Sequence, residues 1–204
     1  MKIKQAINNY VISEMIQNPE TLGGLKRHEE IIGKARWGKI VSVGPGIVDF
    51  NGQLNKPDVE ENQLAYHMAH GLFEIYEDQT GEHKLSICSV LDVMAIMDNL
   101  ETLDIQPLGN FIEIEVLEIP VTKSESGLLM ARDRTLPSNL AVVKKLGKGW
   151  KTLNGQEVPF QVSVGDIITF NPLRKMVVDL SAFGVDEKKT LISHGDIMAI
   201  MEKE

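Results

Sequence analysis

His67 and His70 are spaced as two metal ligands would be on one face of a helix, with His83 and Cys88 downstream as further donors. Such a set could hold zinc, which takes imidazole and thiolate ligands tetrahedrally. The spacing fails on a strand, where residues three apart point to opposite faces. Gly44-x-Gly46 and Gly147-x-Gly149 resemble phosphate cradles, but neither opens a helix as that use requires, so turn glycines fit better. Asp92 and Asp196 could act as carboxylates, yet each stands just before an apolar string, where a turn residue belongs. Cys88, in a strand-like run with Leu85 and Ile87, reads as a packed thiol, and Trp37 and Trp150 read as packing residues. There is no nucleophile–base pair and no P-loop. The residues point away from an enzyme and from a resident metal or cofactor.

The two aspartates belong to a larger pattern. Asp92-Val93-Met94-Ala95-Ile96-Met97 returns as Asp196-Ile197-Met198-Ala199-Ile200-Met201, 104 residues later. Gly44-Pro45-Gly46 with Asn51-Gly52-Gln53 aligns on Gly147-Lys148-Gly149 with Asn154-Gly155-Gln156 at an offset of 103. Gln5 to Val11 aligns on Gln106 to Ile112 at 101. One unit of about a hundred residues is written twice, too long for a solenoid repeat and right for two small domains. The expected division is 1–97, a polar linker 98–104, and 105–204.

Each half reads as short strands separated by turns. Phe111–Val116 alternates, with Ile112, Ile114 and Val116 on one face and Glu113 and Glu115 on the other. Further strands are expected at 140–146, 166–170, 175–180, 189–193 and 197–201, and in the first half at 10–16, 37–43, 72–76, 84–88 and 93–97. Asn51-Gly52 and Asn154-Gly155 mark hairpins. No stretch forms a convincing long amphipathic helix. The expected fold is all-β, two tandem small barrels, because closure removes exposed strand edges.

Composition narrows the partners. The chain has 204 residues, a formal net charge of −8 and only scattered basic pairs, which argues against a nucleic-acid surface. One cysteine cannot form an internal disulfide, and no apolar run reaches membrane-spanning length. No targeting peptide precedes the repeat unit, so a cytoplasmic protein is expected.

Each half also carries a long segment without strand character, about 17–36 and about 119–139. Such segments in a compact domain are usually functional or disordered. The second runs Pro120-Val121-Thr122-Lys123-Ser124-Glu125-Ser126-Gly127, then Leu128-Leu129-Met130. Three apolar residues on a polar segment have no core of their own to join. They ask for a partner.

Here the second half resembles the GroES-type co-chaperonins, the ring-forming lids of the large chaperonin. Ile105-Gln106-Pro107-Leu108 resembles the family's opening strand, and Thr122 to Met130 its mobile loop with the terminal hydrophobic tripeptide. Leu146-Gly147-Lys148-Gly149 with Leu153-Asn154-Gly155 resembles the roof hairpin; Val162 to Phe170 and Asp196 to Ile200 resemble the signature and closing strands. The first half keeps Gly44-Pro45-Gly46 and Asn51-Gly52 but has Asn62-Gln63 where the second has Gly165-Asp166. Its loop, Thr21-Leu22-Gly23-Gly24-Leu25-Lys26-Arg27, puts charges where the triplet would be.

The resemblance implies two GroES-like β-barrels, each with a mobile loop and a roof hairpin, and a co-chaperonin function. Gly127, Leu128, Leu129 and Met130 would dock on a GroEL-type chaperonin, with Gly24, Leu25, Ile31 and Ile32 as a weaker second loop. Chains would form a ring around a chamber holding unfolded client proteins, and the partner would hydrolyse the ATP. It also implies that one domain's last strand lies beside its neighbour's first, a span seven linker residues can bridge. Two domains per chain do not divide the family's sevenfold ring, which leaves stoichiometry open. Seven chains would suffice if only second domains contact the chaperonin. The tandem form without a transit sequence points to a bacterial or bacteriophage source, hence host cytoplasm in the latter case. The competing reading is a barrel-fold assembly protein that has lost the chaperonin.

Overall fold

The computed structural model describes residues 5–17, 21–22, 25–26, 36–68, 71–77, 84–117, 139–152 and 156–202. Its first half contains β1 (Tyr10–Met15), β2 (Thr21–Leu22), β3 (Leu25–Lys26), β4 (Trp37–Val43), β5 (Ile47–Val48), β6 (Leu54–Asn55), β7 (Leu64–His67), β8 (Phe73–Glu77), β9 (Lys84–Ser89) and β10 (Val93–Met97). The second continues with β11 (Ile105–Pro107), β12 (Phe111–Val116), β13 (Leu140–Leu146), β14 (Trp150–Lys151), β15 (Glu157–Val158), β16 (Ile167–Phe170), β17 (Met176–Asp179), β18 (Lys188–Ser193) and β19 (Ile197–Met201). Among the described residues the only helices are three-residue 3-10 turns, so the chain is all-β as expected.

Two large antiparallel sheets carry the fold, ordered β11-β10-β7-β4-β1-β9-β8 and β17-β18-β12-β13-β16-β19. Each curls on itself. His67 on β7 and Cys88 on β9 are three ladder steps apart, roughly 14 Å in a flat sheet, yet His67 Nδ1 lies 3.2 Å from Cys88 Sγ. Bulges at matching places in both halves, Ile12/Ser13 on β1 and Glu113/Ile114 on β12, raise the local twist that such curling needs. The curl does not close in hydrogen bonds: among the described residues no ladder joins the two ends of either sheet, where the sequence suggested closed barrels.

Three apolar cores result. One fills the first curled sheet with Val11, Ile40, Ala65, Cys88 and Val93, and one fills the second with Ile112, Val143, Ile168, Phe170 and Ile192. The third lies between the halves, where Trp37, Tyr66, Met94 and Met97 meet Ile105, Phe111, Val178, Leu180 and Leu191. Large apolar side chains contribute about 1.5–3 kcal/mol each when buried. Apolar packing of this extent, not a surface ion pair, holds the halves together.

Two elements depart from the sequence reading. Leu64–His67 is an interior strand of the first sheet, although its sequence neither alternates clearly nor carries a flanking glycine. The 17–36 segment is not strandless, since β2 and β3 form a small hairpin with Leu22 opposite Leu25. Gly23-Gly24 between them is a two-residue hairpin signal.

Candidate functional site

Most of the expected docking residues, Gly127, Leu128, Leu129, Met130, Gly24, Ile31 and Ile32, lie outside the described residues, as do Asn154 and Gly155 of the second roof turn. Leu25 belongs to β3. Asn51 and Gly52 stand at the tip of the β5–β6 hairpin. There the Asp49 carboxylate accepts from the backbone N–H groups of Asn51 and Gln53, both at 2.9 Å, and Gly52 takes a φ of 78°. A positive φ costs most L-residues about 1–2 kcal/mol, which is why glycine suits this tip.

The glycine pairs below the roofs do structural work in both halves. Gly44 N–H donates to Tyr10 O and Gly46 N–H to Asn8 O; Gly147 and Gly149 repeat this with Phe111 O and Gly109 O. A Cβ on Gly44 would come within 2.2 Å of Asn8 O, and one on Gly147 within 2.3 Å of Gly109 O. Close backbone approach, not phosphate binding, accounts for them. Asp92 and Asp196 close the short 3-10 turns Val90–Asp92 and His194–Asp196 that enter β10 and β19, so their matched places serve chain direction.

Leu64–His67 is a strand, so His67 stands on no helix face that His70 could share. His67 points into the first core, where its ring meets Cys88; His70 and His83 lie outside the described residues. Burial lowers the His67 pKa to about 4 and raises the Cys88 thiol to about 12, so both are neutral near pH 7. Among the described residues, His67 Nε2 and the neighbouring hydroxyls of Ser13 and Ser86 have no hydrogen-bond partner. The second half places Phe170, Ile114 and Thr190 at the matching positions. Its interior is the more apolar of the two.

The arrangement with the most consequence is the joint between the halves, and sequence spacing alone misses most of it. Strand β11 pairs antiparallel with β10 (Ala95 opposite Pro107, Met97 opposite Ile105), the adjacency that the family resemblance implies. Trp37 Nε1–H donates to Asp179 O at 2.8 Å, and the Tyr66 hydroxyl donates to Val177 O at 2.9 Å. The Trp37 ring stacks at a tilt on Tyr66 and edge-on to Phe183, with centroids 5.1 and 5.2 Å apart. Near the roofs, Lys148 Nζ reaches Asp58 Oδ1 at 2.9 Å across a cleft of about 270 Å³. Beside the linker, Lys145 bonds Asp104 and the Ile105 carbonyl, and covers Glu113. Glu113 is therefore buried, and desolvation holds its carboxyl above the usual range against the pull of Lys145. The aromatic identity of Trp37 and Tyr66 was the available signal; nothing in their spacing said they face the other half.

Comparison with known proteins ties the second half of the chain to one family. Residues 104–201 match the family model described as the chaperonin 10 Kd subunit. A "Co-chaperonin GroES" of Haemophilus influenzae is 32% identical over 106 residues, 49% of this chain and all of that protein. A "Co-chaperonin GroES" of Chlamydia pneumoniae is 30% identical over 105 residues, 52% of this chain and 98% of that protein. A "Co-chaperonin GroES 2" of Vibrio vulnificus is 28% identical over 106 residues, 49% of this chain and the whole of that protein. Each relative is thus about half as long as this chain. Among the described residues no helix is long and apolar enough to cross a membrane.

Proposed function

The chain belongs to the GroES-type co-chaperonin family, and from that premise we propose that its second half docks on a GroEL-type chaperonin through Gly127, Leu128, Leu129 and Met130. The observation that carries this reading is an apolar triplet on a polar segment of a chain whose relatives are named co-chaperonins. Burying the three side chains gives roughly 5–9 kcal/mol, from about 1.5–3 each. Ordering ten or so residues costs on the order of 10 kcal/mol at about 1–2 per residue. One segment therefore binds weakly, and several on one ring gain about 10²–10⁴ in avidity. Weak contacts that act together also release together when the partner changes state. The chain caps the partner's folding chamber, the partner hydrolyses the ATP, and the chain works in the same cytoplasm. The halves at 1–97 and 105–204 are two lid units joined by residues 98–104, and copies join into a ring by repeating the internal joint between chains.

Leu129→Asp is expected to abolish ATP-dependent co-elution with the chaperonin while leaving the circular-dichroism spectrum unchanged. Undiminished co-elution would overturn the docking assignment. The second reading, an assembly protein without a chaperonin, is favoured by Lys26-Arg27 in the first loop. Failure of the wild-type chain to support refolding of a chaperonin-dependent client would select it.

A further inference from the structure

We propose that the interior of the first curled sheet is a hydration site, holding ordered water bonded by Ser13 Oγ, Ser86 Oγ and His67 Nε2, while the matching interior of the second half is dry. Docking on a chaperonin plays no part in it. The three atoms lie inside and have no hydrogen-bond partner among the described residues. Ser13 and Ser86 stand opposite each other on β1 and β9. Cys88 lies two residues beyond Ser86 and so on the same face, and its sulfur is the atom that the His67 ring meets. Ser13, Ser86, His67 and Cys88 are each at most 1% exposed. The second interior shows no such atom among the described residues. Glu113 Oε2, the remaining buried oxygen without a bond, faces Lys145 beside the linker.

The strands of the two halves register residue for residue, which lets their interiors be compared position by position. Ser13 pairs with Ser86 as Ile114 does with Thr190, and Val11 with Cys88 as Ile112 does with Ile192. Gly38 pairs with Ala65 as Ala141 does with Ile168. At all six positions the first half has the smaller side chain, and His67 is likewise smaller than Phe170. Ile40 and Met15 go the other way against Val143 and Val116, by one heavy atom each. The first interior is therefore both more polar and less filled. A water molecule takes about 30 Å³, close to the space of one missing methyl group. Protein interiors leave few such gaps, and buried polar groups without a protein partner are commonly bonded to water.

The chemistry of the three atoms selects a small neutral ligand that both donates and accepts. A serine hydroxyl does both. His67 Nδ1 is engaged with Cys88 Sγ, so Nε2 either carries the ring proton and donates, or lacks it and accepts; water suits either case. His67 and Cys88 are both neutral near pH 7, so nothing here calls for a counter-ion. Among the described residues no three His, Cys, Asp or Glu side chains gather to hold a metal. A buried water makes about three hydrogen bonds, and three atoms are on offer. Such bonds tie β7 to β1 and β9 across the interior, where the second half relies on the packing of Phe170.

A near-atomic crystal structure of the full chain, with oxygen-17 relaxation dispersion in solution, tests this. Water density is expected within about 2.7–3.2 Å of at least two of the three atoms, and none inside the second sheet. Ser13→Ile with His67→Phe, which installs the residues of the second half, should lose the dispersion amplitude of at least one long-lived water. Ser86→Ala, a milder change, should keep the water but shorten its residence about fivefold, the worth of one hydrogen bond. The proposal is overturned if the three atoms bond to one another or to other protein groups with no water among them. It is also overturned if water stands equally in the second interior, or if the double variant keeps the full wild-type amplitude. If the double variant fails to fold, Ser86→Ala decides, and an unchanged residence time counts against the site.

Discussion

His67 is the residue whose environment departs furthest from its solution chemistry. Unfolded, a histidine takes up its proton near pH 6.5; here burial delays that to about 4. Between those values the unfolded chain binds more protons than the folded one, so stability falls as pH is lowered through the window. The loss reaches about 3 kcal/mol by pH 4, from about 1.36 kcal/mol per pKa unit. Urea titrations at several pH values should show this slope, and His67→Phe, which copies Phe170 of the other half, should flatten it. An unchanged slope in His67→Phe would place the effect elsewhere. The sequence offered His67 as a partner of His70 and Cys88 as a packed thiol, but not the two as neighbours. Their contact depends on how far the sheet curls, a property of bulges and packing that no local pattern encodes.

Elements were more legible than contacts. Alternation, apolar runs bounded by turn residues and the repeated string located β1, β4, β9, β10, β12, β13, β18 and β19 to within a residue or so. Leu64–His67 escaped because it packs on both sides, Ala65 and His67 into the first core and Tyr66 into the joint, which erases the alternation. The first roof turn and both glycine pairs were readable from Asn-Gly and Gly-x-Gly. Why the inner glycines tolerate no side chain was not, since the obstacle is a carbonyl from a distant turn. Gly44→Ala and Gly147→Ala should each cost about 1–3 kcal/mol from forced backbone displacement. Gly52→Ala, with nothing within 4 Å of its Cβ, should cost only the about 1–2 kcal/mol of its left-handed backbone. Denaturant midpoints compare them; a larger loss at Gly52 than at Gly147 would contradict the clash argument.

At the level of the molecule, the repeat announced two units, but their mutual burial came only from coordinates. Trp37 carries that coupling through an indole hydrogen bond to the Asp179 carbonyl and an edge-on ring contact with Phe183. Trp37→Leu, which installs the residue found at the matching place in the second half, should cost about 2–4 kcal/mol through lost packing and a lost hydrogen bond. The joint then no longer forces the halves to unfold together. Calorimetry should resolve two transitions where the wild type shows one; a single sharp transition in the variant would mean the coupling lies in β10–β11 pairing instead. The proposed docking residues 127–130 are visible only as composition, an apolar triplet on a polar segment.

The β10–β11 pairing also sets an order of manufacture. The first sheet borrows its outermost strand from residues 105–107, and the covering residues Val178 to Leu191 are translated later still. At about 5–20 residues per second, a ribosome leaves Met94 and Met97 uncovered for roughly five to twenty seconds after making them. For that interval the nascent chain would present the sticky surface that chaperones exist to shield.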